Sequence, residues 1–486
     1  MAEPQRSLIK GGTIIAYRDG AHRLLEDGVL VFEGDRIVHV GPNYDGVAHR
    51  TIDAAGKLVI PGFVSTHAHV NVHEGTRLIT DVGRRDVMRS GFLNYTPNNG
   101  INGPPYVAAS LPDETTRFGF AQLIRNGITT VMAFGGGSPA AARAFAEHAG
   151  ASGIRVYYAP QANSAVNYFD DDGRMREHWD ESNGLAELDR QEAFIEENHE
   201  RFDGRFQGIA VVRNYALATL DLLRRAKAMA DRRGLVLTTH FCEQLFEFHR
   251  TVRDYGLTPV QLMDREGLLG PNVLLGHCIY IAGHSYTTWT FSSDIEILGR
   301  HQAAVAHAPL VMLRRGHAFE GFDRFLQAGV TMSIGTDVAP HNIIEEMRVG
   351  ALACKLIARN NEVGTSLDFF NAATLGGAKA FGREDIGRLA PGAKADIVIM
   401  DFDNLQIGPI YDPIRSLVHF ASPDLIETVI CDGVTLLQDG ELLNYDEAAV
   451  VEGGKRSFQK VIDEFPARHW SKRPVQSEYP LSLEAW

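Results

Sequence analysis

Hydrophobic and polar positions fall into three textures along the chain. From residue 7 to 58 the short β-branched runs SLIKGGTIIAY, GVLVFEGDRIVHVGP and RTIDAAGKLVI are broken by Gly and Asp corners, which predicts a small all-β unit. The same texture returns in GRLAPGAKADIVIMDFD (387–403) and ETVICDGVTLLQDGELL (427–443), so the two chain ends are expected to build one small β-sandwich. Between them apolar runs alternate with helical stretches, the pattern of a parallel sheet with crossover helices. The runs are LVIPGFVSTHAHV (58–70), TTVMAFG (129–135), IRVYYAPQ (154–161), QGIAVVRN (207–214), LVLTTH (235–240), NVLLGHC (272–278), AAVAHAP (303–309) and VTMSIGTD (330–337). Eight is the number that closes a (β/α)8 barrel of the TIM type. LATLDLLRRAKAMADRR (217–233) carries apolar residues at helical spacing and reads as scaffold. Segments 70–112 and 162–188 are rich in Gly, Pro, Asn and Asp and longer than a minimal connection, so they are expected to shape the barrel mouth. The predicted fold is thus α/β: sandwich halves at 1–58 and 387–445, a barrel at 59–386, and an extension at 446–486 that packs as an arm on the surface.

Composition narrows the partners. A length of 486 residues suits one large domain plus a smaller one. With 47 basic and 61 acidic residues the formal charge is −14, which leaves no basic footprint for nucleic acid or an anionic membrane. A small-molecule substrate is the expected partner. Cys242, Cys278, Cys354 and Cys431 follow neither a disulfide framework nor a zinc spacing, which fits a reducing cytoplasm. The start, MAEPQRSLIKGGTII, lacks the pattern of a signal peptide, and no run reaches the length of a membrane span.

The chemistry gathers at strand ends. In PGFVSTHAHV, His67 and His69 share one strand face and can grip one ion, although a lone His-x-His is more often core hydrogen bonding. His240, His277 and Asp337 also fall at the ends of their strands, and a barrel collects such ends at one mouth. Several histidines and a carboxylate make a donor set suited to zinc, and also to iron or manganese.

These motifs resemble the amidohydrolase superfamily, in its metal-dependent aminohydrolase branch that includes guanine deaminase and atrazine chlorohydrolase. The resemblance rests, in order, on PGFVSTHAHV, TTHFCE (238–243), LLGHC (274–278), SIGTD (333–337) and the flanking GRLAPGAKADIVIMD. It implies that His67, His69, His240 and Asp337 bind one divalent metal ion per chain, zinc first, with a water completing the site. It also implies catalytic parts for Asp337, for Glu243 as proton shuttle in His-x-x-Glu, and for His277 beside the developing oxyanion. Glu243 taken alone reads as a helix N-terminal acid, and its spacing from His240 favours the catalytic role. Binuclear members usually carry a lysine on strand four; QGIAVVRN has Arg213 and no lysine, which favours one metal. Relatives are commonly homodimers or larger, and a homo-oligomer is the expectation here.

Four further residues are candidates to face substrate or to orient a ligand: His307 in VAHAP, His341 in TDVAPHN, Glu74 after His73, and Trp289 in the aromatic loop with His284 and Tyr286. His341 stands where triazine hydrolases and guanine deaminase tend to have small or amide residues. Cys242 and Cys278 are read as buried packing. The expected reaction is hydrolytic loss of an amine, or a similar leaving group, from a nitrogen heterocycle. Its rivals are hydrolysis of an acyclic amide, urea or carbamate on the same site, and a noncatalytic barrel kept for binding or assembly.

Overall fold

The computed structural model describes residues 6–80, 95–96, 109–135, 138–289, 291 and 293–484, so much of the first mouth loop expected at 70–112 lies outside the described residues. Eight parallel barrel strands are present: β1 (Phe63–Ala68), β2 (Ile128–Ala133), β3 (Arg155–Tyr157), β4 (Phe206–Gln207 continuing as Ala210–Asn214), β5 (Leu237–Phe241), β6 (Val273–His277), β7 (Ala304–His307) and β8 (Thr331–Ile334). Nearly every residue in them is buried, as befits strands covered on one side by helices and on the other by the barrel interior.

Two sheets make up the barrel wall. β1, β2, β3 and the first piece of β4 form one, and the second piece of β4 through β8 forms the other. Single bridges join them, Ala162 to Val212 on one side and Ala68 to Asp337 on the other. The ring therefore closes between the first strand and the residues after the last.

The apolar run 58–70 serves two layers rather than one. Its first residues belong to a strand, Lys57–Pro61, that pairs antiparallel with Ile397–Asp401 in a nine-stranded sheet, and only β1 enters the barrel. Gly62 makes the switch: a Cβ there would lie 2.1 Å from Thr129 Oγ1, and its N–H donates to the Asp396 carbonyl at 2.9 Å. The expected union of the chain ends takes the form of this one hydrogen-bonded sheet. It has its own core of Ile9, Ile14, Leu30, Val59, Ile397 and Ile430.

Six helices matter below: α1 (His73–Ile79), α2 (Pro112–Arg125), α3 (Ile343–Ala358), α4 (Ser366–Asn371), α5 (Pro413–Phe420) and α6 (Glu447–Arg468). α6 packs on α2 and α1, and Gly454 permits the approach, since a Cβ there would sit 2.7 Å from the Phe118 ring. Among the described residues no helix is long and apolar enough to cross a membrane.

Candidate metal centre

His67 owes its place to two missing side chains. A Cβ on Gly276 would reach its ring at 2.8 Å and one on Gly335 its own Cβ at 2.5 Å. Backbone bonds then clasp the strand: His69 N–H donates to the Asp337 carbonyl at 2.5 Å, and Asp337 N–H to the His67 carbonyl at 2.9 Å.

On β6 the position beside His240 is Gly276, so regular alternation would turn His277 outward. A left-handed backbone, φ 71° at His277, aims it inward instead, and Asp337 has φ 47°. Left-handed non-glycine residues cost energy and collect at functional sites.

The donor atoms of His67, His240 and His277 lie within 4.8 Å of one another, as do those of His67, His69 and Asp337. His69 Nε2 is 3.0 Å from His240 Nε2. Asp337 Oδ1 is 3.5 Å from His69 Nε2 and 3.9 Å from His67 Nε2, and its Oδ2 is 3.8 Å from His277 Nε2. Tetrahedral zinc with bonds of about 2.0–2.1 Å separates its ligand atoms by about 3.4 Å, so the spacing fits.

Hydrogen bonding gives an independent test of fit. His240 Nδ1 donates to the Arg213 carbonyl at 2.5 Å, which leaves Nε2 as the lone pair facing the cluster. Both ring nitrogens of His67 and of His277 are buried with no hydrogen-bond partner. Such orphans are costly, and a cation that takes their lone pairs removes the cost. Burial, reinforced by the neighbouring histidines, holds His67, His69 and His277 well below the usual histidine range. Burial likewise lowers His240 to about 4. Neutral imidazole is the ligand form. Burial, with the Glu243 charge adding and Arg315 opposing, raises Asp337 to about 7. The donor set fits one divalent ion, and its nitrogen-rich character favours zinc.

Glu243 follows β5, half-buried, with its charge felt by Asp337 and Arg213. The structure thus brings His67, His69, His240, His277, Asp337 and Glu243 to one mouth. His341 lies beneath the clasp, its Nδ1 3.0 Å from Thr336 Oγ1, which is 3.2 Å from Ser65 Oγ. His307 lies against the rings of Phe319, Phe322 and Phe369, and its charge is felt by His277. Glu74 is fully buried and accepts from Thr115, whose hydroxyl is 3.0 Å from Ser457 of α6, so it is held by the C-terminal helix. Trp289 stays partly exposed with its ring edge on Phe248. Cys242 and Cys278 are buried, and burial pushes both thiols up, away from nucleophilic thiolate. Sequence reasoning missed Phe134, whose ring is 4.5 Å from His67 and 4.3 Å from His240, and the glycine seats. Gly276 and Gly335 adjoin or nearly adjoin the site residues in LLGHC and SIGTD, and that adjacency was the available signal.

A donor set of this kind at the C-terminal rim of a parallel (β/α)8 barrel is that of a metal-dependent hydrolase. The chain belongs to the amidohydrolase family, whose model matches residues 58–436. It is 30% identical over 433 residues to the 5'-deoxyadenosine deaminase of Methanothermobacter thermautotrophicus, covering 87% of this chain and 92% of that protein. It is 29% identical to the 5-methylthioadenosine/S-adenosylhomocysteine deaminase of Thermococcus kodakarensis, over 88% and 93% of the two chains. Among solved structures, the fold matches a triazine hydrolase from Arthrobacter aurescens with TM-score 0.76 at 23% identity, over 93% of this chain and 99% of that one. It also matches a zinc-bound adenosine deaminase from Xanthomonas campestris with TM-score 0.74 at 21% identity, over 94% and 99%.

Proposed function

We propose that this enzyme hydrolytically deaminates an amino-substituted nitrogen heterocycle, with 5'-substituted adenosines as the first candidates. The observation that carries the reading is the convergence of His67, His69, His240 and Asp337 with Glu243 at one mouth, and the two deaminase relatives support the substrate class.

His67, His69, His240 and Asp337 would hold one divalent ion, which when bound would supply a water made acidic enough to act as the nucleophile near neutral pH. Asp337 accepts the proton that this water releases. Protonated Glu243 donates to the ring nitrogen beside the amino-bearing carbon as the water oxygen adds, Asp337 passes the water's first proton to the departing amine, and Glu243 takes back the remaining proton of the added oxygen as it becomes a carbonyl. The C–N bond breaks, ammonia leaves and the oxygen stays on the ring. His277 faces the oxygen on which charge develops. Phe134 keeps this end of the pocket apolar. The catalytic unit is 59–386, acting in the cytoplasm, where four buried free cysteines are at home, and as a homo-oligomer.

An ammonia-release screen on zinc-loaded protein, over adenosines with varied 5' groups, free purines, pterins and triazines, tests the reading. Turnover is expected on at least one heterocycle, with Glu243→Gln slower by about 10²–10⁴-fold in kcat. Silence on every heterocycle together with hydrolysis of an acyclic amide, urea or carbamate overturns it.

A further inference from the structure

The turn that carries Glu243 is held from the next strand. β5 ends at Phe241, and Cys242 takes a left-handed backbone, φ 51°, immediately before Glu243. Such a turn costs energy and persists where its surroundings fix it. Three successive N–H groups after His277 do so here: Cys278 donates to the Phe241 carbonyl at 2.9 Å, and Ile279 and Tyr280 both donate to the Cys242 carbonyl, at 3.1 and 2.9 Å. The backbone that presents Glu243 is therefore pinned at Tyr280.

Tyr280 is pinned in turn. Its side chain is fully buried, and its hydroxyl is hydrogen-bonded to Nδ1 of His317 in the loop after β7. Burial, then the Arg315 and His284 charges, hold His317 below the usual histidine range. Burial, then the Tyr286 and Glu243 charges, push the phenol up to about 12. A protonated phenol thus donates to a neutral imidazole. Further out the same two loops are stitched by His284 Nε2, which donates to the Ala318 carbonyl at 3.0 Å, and by Ser285, whose N–H and hydroxyl donate to Glu320 at 2.8 and 2.6 Å. The His317 loop has its own footing. His317 N–H donates to the Met312 carbonyl at 3.0 Å, Leu310 N–H donates to the buried Glu346 carboxyl of α3 at 2.8 Å, and α3 packs on α4 and α5.

We propose that Tyr280 is a positioning residue for Glu243, its hydroxyl on His317 fixing the turn from which the Glu243 carboxyl reaches substrate. A phenylalanine would fill the same space; the hydroxyl is what couples the Glu243 turn to the loop after β7. A proton carrier works within hydrogen-bond reach of the atom it serves, so a loosened turn lowers rate more than it weakens substrate binding. The inference rests on the reading of Glu243 as the proton carrier and not on which heterocycle is turned over.

Tyr280→Phe keeps the ring and removes the hydroxyl. In steady-state kinetics it is expected to lower kcat about 10–100-fold, with KM within about twofold of wild type and zinc content unchanged. In a Glu243→Gln background the same change is expected to cost less than about twofold, because the group it positions is gone. His317→Leu is expected to repeat the loss, and His317→Asn, whose amide reaches the place of Nδ1, to recover most of it. Hydrogen exchange read by mass spectrometry supplies the arm that needs no substrate: in Tyr280→Phe, protection is expected to fall in peptides spanning 241–247 and 314–320 and to hold elsewhere in the barrel. Wild-type kcat in Tyr280→Phe overturns the proposal, as does a loss of the same size in the Glu243→Gln background or a fall in protection across the whole barrel. Should every heterocycle fail and an acyclic amide, urea or carbamate turn over, the deaminase reading falls, and the same cycle on that substrate still decides the part of Tyr280.

Discussion

The barrel strands carry a buried polar cluster at each end, and the two are built on opposite principles. At the floor, Arg155 at the start of β3 is 1% exposed; it donates to Asp396 at 2.6 Å, to Thr130 at 2.9 Å and to Asp432. Asp396 in turn accepts from the Asp432 N–H at 2.9 Å, and Lys394 lies 3.2 Å from Asp432. These carboxylates come from the terminal sheet, so the network bolts sheet to barrel. At the mouth, His67 and His277 are as deeply buried, but their ring nitrogens have no hydrogen-bond partner. Burial alone does not separate structure from chemistry. Satisfaction does: the floor is closed on itself, and the mouth is left open for a ligand.

Breaking each end should therefore fail differently. His67→Leu is expected to abolish metal retention and activity, while its melting temperature in the metal-free state stays at or above that of metal-free wild type, because two orphaned polar atoms are gone. Elemental analysis with calorimetry reads both halves. Asp396→Asn is expected to do the reverse, costing about 3–5 kcal/mol because the Arg155 charge stays buried, with kcat per folded molecule retained. A lowered kcat there would erase the distinction between the two ends. Gly276→Ala sharpens it on a smaller scale. The added methyl pushes on the His67 ring, and metal affinity measured against a chelator is expected to drop about 10–100-fold with little change in melting temperature.

The smallest effect is a pH dependence outside both clusters. Burial, with the Arg388 charge adding, lowers His22 to about 4. Between pH 6.5 and 4 the unfolded chain binds a proton that the folded chain refuses, so stability falls as pH falls through that window and flattens below it. His22→Gln should remove one histidine's share of that slope, roughly 1.4 kcal/mol per pH unit at most, in urea titrations across the range.

The mouth was far more legible in the sequence than the floor. His67 and His69 announce themselves through a period of two within a single strand, and His240, His277 and Asp337 through their places at the ends of apolar runs. Those are local signals a few residues long. Arg155 gives none, because its partners at 130, 396 and 432 lie in other elements, and an arginine opening an apolar strand looks like a surface residue. The division of run 58–70 at Gly62 was hidden for the same reason, since its cause is Thr129 on a neighbouring strand. The inward aim of His277 was hidden because alternation predicts the opposite, and a positive φ overrides it. Glu74 looked available next to the first motif; the helix that covers it lies at the other end of the chain.

The clasp between β1 and Asp337 ties catalysis to the order of synthesis. His67 and His69 leave the ribosome early and Asp337 late, and the bonds that seat them are made only when the first and last strands of the barrel meet. A nascent chain gains the histidines of the metal site strand by strand and cannot complete the set before Asp337 follows. The donor set is thus complete only where the two ends of the ring meet.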